Sequence, residues 1–363
     1  MNRLTAIGLA SLVAYGLLIA SKYTGVVSAA RDERGPQIAV SPATVESGAS
    51  SGVEPLRPEP RQSTLAALPA PVPRAQVSRI TGIALEFRNT RDLKAFADAL
   101  GARAPNLTGD ERYHLARALE ECVFATSINE DLAAYSAKQK RQFLSGLPAG
   151  DPTNEKRIAA YEAVDNTQRC LGFQNSRVSQ KDIEALYQAA AQQGDARAQA
   201  RIVTAELSKN LGKSPQSGNT QNTSESGNAE FAMLINLLES GDPEAMMYVG
   251  QFLAQNAVSQ NLRVGANGEV PEPSAFLGGF SLVACDVGQD CSSVHREVLQ
   301  ACAYGGYCNA QGFEELYQNF LASPWAWTQA LRYRELIHTA IQNRNWSLIG
   351  LTPKLASPKP IPQ

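Results

Sequence analysis

The side chains that could do chemistry in this sequence are scarce, and its three histidines are the first to consider. Two of them complete a Glu-x-x-His spacing, in Glu111–His114 and Glu335–His338, on segments with helical periodicity. Two such helices, with further glutamates, form the ligand set of di-iron carboxylate bundles. However, His114 lies about 140° around its helix from Leu119, and Glu335 about 160° from Ile337, at about 100° per residue. Leu119 and Ile337 belong to the apolar stripes of the two helices. We therefore predict that both motifs lie on solvated faces, and that the chain holds no metal and no cofactor.

The third histidine, His295, follows Cys291 by one helical turn, a spacing that a Cys–His catalytic pair could use. Such a pair requires a free thiol, which a disulfide at Cys291 would remove. The sequence contains neither a Gly-rich phosphate loop nor an H-E-x-x-H zinc motif. It therefore predicts no catalytic residue.

Six cysteines are present, namely Cys122, Cys170, Cys285, Cys291, Cys302 and Cys308. An even number behind an apolar N-terminal segment argues for disulfides. If one helix runs from Cys291 to Cys302, these residues lie about 16 Å apart, whereas a disulfide tolerates roughly 7 Å between Cα atoms. The pairs that remain within reach are Cys122–Cys170, Cys285–Cys291 and Cys302–Cys308. A four-thiolate zinc site is the alternative, but structural zinc sites usually have shorter spacings than the C-x5-C of this chain.

Two tryptophans, Trp325 and Trp327, follow the helix-start signal Ser323-Pro324. They differ by about 200° around a helix, so both cannot face the same core. One of them is therefore a candidate contact for a partner peptide or glycan, and the alternative is a purely structural packing role.

The elements that must position these residues are helices. From about residue 80 onward, apolar residues recur at helical spacing, and no stretch alternates as a half-buried strand would. In one such segment the pattern consists of Thr90 as a possible N-cap, the apolar residues Leu93, Phe96, Ala97 and Leu100, and Gly101 as a stop. The predicted fold class is all-α, built from antiparallel helical hairpins and stapled by disulfides.

Two of the predicted hairpins resemble each other at an offset of 47 residues. Their shared turn residues are Gly194, Asp195 and Ala198 in the first unit and Gly241, Asp242 and Ala245 in the second. Glycine can end one helix in the left-handed conformation, aspartate can cap the next, and a small alanine allows close packing. Over about 60 residues this pattern resembles the Sel-one-like branch of the tetratricopeptide-like repeats. The resemblance implies a degenerate array of α-α repeats, and the alternative is two ordinary hairpins with a common turn.

The N-terminal 79 residues differ in character from the rest of the chain. Residues 4–20 carry no charge and follow Arg3, which predicts an export element, either a cleaved signal peptide or a membrane anchor. Residues 31–79 are proline-rich without apolar periodicity, which indicates a disordered spacer. The predicted organisation is therefore 1–30 export segment, 31–79 spacer, 80–211 first helical block, 212–228 polar linker, 229–352 cysteine-rich second block, and 353–363 disordered tail.

Composition narrows the class of partner. The 363 residues are 44% apolar, with 33 Lys+Arg against 35 Asp+Glu and a formal net charge of -2. A nucleic-acid binder usually has an excess of basic residues, and this chain has none, so we expect no nucleic-acid partner. Membrane contact is expected only through residues 4–20, if they are not cleaved. The expected location is the periplasm or the exterior, with anchoring at the inner membrane as one possibility.

The function that fits these observations is a non-catalytic envelope protein, a helical scaffold or regulatory module that binds an unidentified partner protein. Helical hairpins characteristically expose partner-binding grooves. The alternative is a cell-envelope enzyme that acts on peptidoglycan or another polysaccharide through an Asp/Glu pair. Two acidic side chains that converge in a cleft would favour the enzyme.

Overall fold

The computed structural model describes residues 81–128, 130–211 and 223–351. Within these ranges all secondary-structure elements are helices. The only β pairing there consists of two isolated bridges, Val264–Glu269 and Ser292–Gly312. The all-α prediction is confirmed. The predicted export segment, the spacer, most of the polar linker and the tail lie outside the described residues. Among the helices that are described, none has the length and hydropathy needed to cross a membrane.

The first half of the described chain contains α1 Gly82–Asn89, α2 Leu93–Gly101, α3 Gly109–Cys122, α4 Leu132–Ser145, α5 Asn154–Val164, α6 Asn166–Arg169, α7 Gln180–Gln192 and α8 Ala196–Leu211. The second half contains α9 Thr223–Glu239, α10 Pro243–Asn256, α11 Pro273–Asp286, α12 Arg296–Gly305, α13 Phe313–Leu316 and α14 Pro324–Asn343. Short 3₁₀ helices lie at Ala104–Asn106, Val123–Thr126, Leu171–Phe173 and Trp346–Ile349, and a π-helical turn lies at Tyr317–Leu321.

Helix α2 shows how local sequence sets these boundaries. Its apolar residues Leu93, Phe96, Ala97 and Leu100 are all buried, as their spacing indicates. Its N-cap is Asp92 and not Thr90, because Oδ1 of Asp92 accepts hydrogen bonds from the backbone N–H groups of Lys94 at 2.9 Å and Ala95 at 3.0 Å. Thr90 lies outside the helix, where its hydroxyl oxygen accepts from the backbone N–H of Asp92. A carboxylate also interacts favourably with the helix dipole, which explains why the aspartate is selected.

The two similar hairpins have the turn chemistry that the sequence indicates. Gly194 and Gly241 have φ values of 86° and 70°, in the left-handed region that glycine adopts readily. Asp195 accepts a hydrogen bond from the backbone N–H of Ala198 at 3.0 Å, and Asp242 accepts from that of Ala245 at 2.8 Å. Both alanines are fully buried. As a result α7 and α8 form one hairpin, and α9 and α10 form the next.

The helices pack as a continuous array. Helix α3 lies against α7, α7 against α8, α8 against α9 and α10, α10 against α11, and α11 against α14. The two predicted blocks are therefore in direct contact, because α8 of the first block packs against α9 and α10 of the second. Helix α9 begins at Thr223, inside the segment 212–228 predicted as linker. Once the apolar part of α9 is packed, extending the helix costs little, so residues of low propensity join it.

A second contact joins distant parts of the sequence. Helix α5 packs against α12 through a core of Ala160, Tyr161, Cys302 and Ala303. Nε of Arg157 donates a hydrogen bond to the carbonyl of Ala303 at 3.1 Å. Helices α4 to α6 therefore lie beside the cysteine-rich segment, and an open groove runs between them.

The structure contains the disulfides Cys122–Cys170, Cys285–Cys291 and Cys302–Cys308. These are the three pairs that the spacing predicts, but one premise of that prediction was wrong. Helix α12 begins at Arg296, so Cys291 lies before the helix and not at its first turn. The reason is local: Nδ1 of His295 accepts from the backbone N–H of Glu297, which places His295 at the N-cap. The side chain of Asp290 accepts from the backbone N–H of Ser292, which holds the preceding loop in a non-helical turn.

Candidate functional site

The first Glu-x-x-His motif is structural, and its histidine is not on a solvated face. His114 is only 5% exposed and packs against the rings of Phe87 and Tyr113, with centroid distances of 5.3 and 5.4 Å. His114 is buried because α3 is covered on more than one side, by α1 and α2 as well as by α7, whereas a helical wheel assumes a single buried stripe. Glu111 closes a capping box, in which its carboxylate accepts from the backbone N–H of Thr108 at 2.9 Å.

In the second motif the histidine is engaged in an ion-pair network. Glu335 is exposed, as its wheel position indicates. His338 is half-buried, and its Nε2 lies 2.7 Å from Oδ2 of Asp286, a carboxylate that also accepts from Nε of Arg334 at 2.7 Å. Burial raises the pKa of Asp286, but the hydrogen bonds from His338 and Arg334 outweigh that effect and hold it below its usual range. Within the described ranges no group of three or more His, Cys, Asp or Glu side chains is arranged to hold a metal ion.

A highly charged concave surface lies between α1, α3, the α5–α6 junction and the start of α12. Its volume is about 610 Å³, within the range of about 300–1,000 Å³ that ligand sites occupy. Five arginines line it, namely Arg88, Arg91, Arg117, Arg169 and Arg296. Its carboxylates are Glu121, Glu244 and Asp290, and its histidines are His114 and His295. We call this site the arginine cleft.

One buried carboxylate organises three of the five arginines. The Glu121 side chain is only 3% exposed. Its oxygens lie 3.2 Å from Nη1 of Arg169, 3.5 Å from Nη2 of Arg117 and 3.7 Å from Nη1 of Arg296. A buried carboxylate is stable only when it is paired, and here one acid holds guanidinium groups from α3, α6 and α12. These three helices supply one positively charged wall.

A second carboxylate lies on the opposite side of Arg117. Oε1 of Glu244 accepts from Nη1 of Arg117 and from the hydroxyl of Tyr113, both at 2.5 Å. Burial raises the pKa of Glu244, but the Arg117 charge and the Tyr113 hydrogen bond outweigh it, so the net shift is downward. Burial raises the pKa of Tyr113 well above its usual range, which keeps its hydroxyl a donor. Glu244 is therefore ionised at neutral pH and is unsuited to act as a general acid.

The cleft retains hydrogen-bonding capacity that its own residues do not use. Arg91 is exposed and forms no ion pair within the described part of the chain, and Arg296 is 42% exposed with only the long contact to Glu121. Two buried wall atoms, Nδ1 of His114 and Nε of Arg117, have no hydrogen-bond partner among the residues that the structure describes. Unpaired buried polar atoms are uncommon and call for a physical explanation. A bound anionic group would supply acceptors to the free guanidinium groups.

Sequence reasoning missed this site. Its arginines come from α1, the turn between α1 and α2, α3, α6 and α12, and they share no motif or fixed spacing. The only local signal is the helical spacing of Arg117 and Glu121, which is common on ordinary solvated helices. The cleft becomes visible only when packing of α5 against α12 brings Arg296 towards the first block.

The tryptophans chosen from the sequence lie on α14 and do not line the arginine cleft. Trp325 is 59% exposed. Trp327 is half-buried, and its ring centroid lies 6.1 Å from that of Tyr317. The two side chains therefore face different surroundings, as their separation around the helix requires.

Comparison with known protein families, with curated proteins and with solved structures finds no match to this chain.

Proposed function

We propose that this chain is a non-catalytic helical module of an oxidising envelope compartment, and that it binds an acidic segment of a partner protein in the arginine cleft. The location rests on the six cysteines, all of which are disulfide-bonded, and on the apolar segment 4–20. The module is proposed to be a divergent array of Sel-one-like hairpins. Support for this comes from the paired turns at Gly194 and Gly241 and from the serial packing of α7 to α10.

The observation that carries the proposal is the charge of the cleft. Five arginines face three carboxylates there, although the whole chain has a net charge of -2. Guanidinium groups form planar, bidentate pairs with carboxylates, so a concave surface with unused guanidinium capacity favours a carboxylate-bearing ligand. An acidic peptide segment presents several such groups in a row. It would reach Arg91 and Arg296 without displacing the buried pairs at Glu121 and Glu244.

The test is a binding measurement with a matched control. Fluorescently labelled peptides that are glutamate-rich, lysine-rich or neutral are titrated with the purified exported chain at low and high salt. We expect binding of the glutamate-rich peptide alone, weakened by salt. The double variant Arg91→Ser/Arg296→Ser should bind it about tenfold or more weakly, because hydrogen bonds to charged groups contribute about 1.5–3 kcal/mol each.

The control variant is Arg344→Ser, which removes an arginine whose side chain is 79% exposed at the end of α14, outside the cleft lining. It should leave peptide binding unchanged. Equal loss of binding in the control and the cleft variant would show that only overall charge matters. Failure of the wild-type chain to bind the acidic peptide at any salt concentration would reject the proposed ligand class.

A second candidate is an envelope enzyme, and the observation that favours it is the presence of Glu121 and Glu244 in one cleft. Glycoside hydrolysis requires one carboxyl with a raised pKa as general acid. Glu244 has a lowered pKa and both acids are held by arginine, so the geometry favours binding over hydrolysis. Release of soluble fragments from peptidoglycan by the wild-type chain, abolished in Glu121→Gln, would establish the enzyme instead.

A further inference from the structure

A second concave surface lies beside the arginine cleft and shares Val164 and Asn166 with it. This groove is formed by α4, the end of α5, the start of α6 and Tyr304 of α12, and its volume is about 540 Å³. We call it the aromatic groove. Three of its lining residues, Phe143, Tyr161 and Tyr304, have rings that contact one another.

The rings form a corner. Phe143 and Tyr161 are stacked, with centroids 4.2 Å apart and an interplanar angle of 15°. The ring of Tyr304 stands edge-on to both, at 5.8 Å from Phe143 and 6.1 Å from Tyr161. Tyr161 is buried, whereas Tyr304 is 62% exposed. The Tyr304 ring is thus exposed, and its contacts with the other two rings hold it in one orientation, so it presents a flat apolar face.

Polar side chains line the groove around the rings. The side-chain amides of Gln139, Gln142 and Asn166 and the hydroxyls of Tyr135 and Tyr304 line it and form no hydrogen bond within the described part of the chain. An amide offers both donors and acceptors, and a phenol offers one of each. The groove can therefore bind a ligand that is itself rich in both.

The charged groups of the groove are already engaged. Arg157 donates to the carbonyl of Ala303 and pairs with Asp151 at 3.6 Å. Asp165 accepts a hydrogen bond from the backbone N–H of Thr167 at 2.9 Å, as a helix cap. In contrast to the arginine cleft, the groove presents no unpaired cation among the described residues, which argues against an anionic ligand.

From these features we infer that the aromatic groove is a binding site for a neutral oligosaccharide. A pyranose ring has a flat C–H face that packs on an aromatic ring, and hydroxyl groups around its edge that both donate and accept. Tyr304 matches the first feature, and the amides of Gln139 and Gln142 match the second. The volume is within the range of small-ligand sites. In an envelope compartment this site would attach the module to a glycan while the cleft binds its partner protein.

The inference is tested by titrating the full exported chain with tri-N-acetylchitotriose, cellotriose and maltotriose. Binding is measured by isothermal titration calorimetry and by NMR signals of aromatic side chains. We expect at least one of them to bind in the millimolar range or tighter and to shift the Tyr304 signals. Tyr304→Ala should weaken binding about tenfold, because it removes the exposed ring on which the sugar packs. Gln142→Ala, an exposed position that leaves the rings intact, should also weaken it.

The matched control is Trp325→Ala, which removes another exposed aromatic side chain far along the sequence and outside the groove. It should not change saccharide binding. The double variant Arg91→Ser/Arg296→Ser should not change saccharide binding either, so the saccharide proposal and the acidic-peptide proposal can fail independently. Circular dichroism checks that each variant is folded. Absence of binding by all three saccharides at high millimolar concentration would overturn the inference. Binding of a proline-rich peptide in their place would also overturn it, because aromatic grooves of another kind bind polyproline helices.

Discussion

Opening the Cys122–Cys170 disulfide removes the longest covalent loop closure in the described part of the chain. The sequence separation of this pair is 48 residues, against 6 for each of the other two. In the chain-entropy model the long loop contributes about 4 kcal/mol to the free energy of unfolding, and a loop of 6 residues about 2 kcal/mol. Both sulfur atoms of the long bridge are also fully buried in the core of the first block. The double variant Cys122→Ala/Cys170→Ala should therefore lose about 4 kcal/mol or more.

The same disulfide lies next to the arginine cleft. Cys122 follows Glu121 and Cys170 follows Arg169, so the bridge holds together the backbone of two residues that form a buried ion pair at 3.2 Å. Opening it should weaken acidic-peptide binding even under conditions where the variant is still folded. This links the stability of the core to the proposed function.

The assay is urea unfolding of the oxidised protein, followed by far-ultraviolet circular dichroism and analysed as a two-state transition. The control is Cys302→Ala/Cys308→Ala, which opens a short clamp and should cost about 2 kcal/mol. If opening the short clamp costs as much as opening the long bridge, loop entropy is not the main contribution and the reasoning is refuted.

Two further predictions concern pH and close packing. Burial raises the pKa of Glu297 from its ordinary value of 4.5 to about 7. Between these values the folded state binds more protons than the unfolded state, so stability falls by about 1.4 kcal/mol for each unit by which the pH rises. Glu297→Gln should therefore be up to about 3 kcal/mol more stable than the wild type at pH 8 and equal to it at pH 4; equal urea midpoints at pH 8 would contradict this. A Cβ at Gly279 would lie 2.7 Å from Cβ of Tyr333, so Gly279→Ala should separate α11 from α14 at a cost of about 1–3 kcal/mol. The control Gly101→Ala meets no atom within 4 Å and should leave the melting temperature unchanged or slightly higher; a similar loss in both would exclude overpacking as the cause.

The histidines show where sequence reasoning reached its limit. A helical wheel assumes that a helix has one buried stripe, and this holds for α2, whose four apolar residues are all buried. Helix α3 contacts α1, α2 and α7, so His114 is buried although it lies away from the stripe. How many sides of a helix are covered depends on the position of other helices, which the pattern of a single segment does not contain.

The sequence by itself determined the features that depend on residues close together along the chain. Helical periodicity, the turns at Gly194 and Gly241, and the pairing of Cys302 with Cys308 all follow from local spacing and backbone geometry. The arginine cleft could be decided only by the tertiary structure, because Arg88 on α1 and Arg296 on α12 are far apart in the sequence. Packing of α5 against α12 brings their segments together, and burial of Glu121 then fixes which guanidinium groups are neutralised. The energy of a charge depends on the solvent and the countercharges around it, and these are set by the fold.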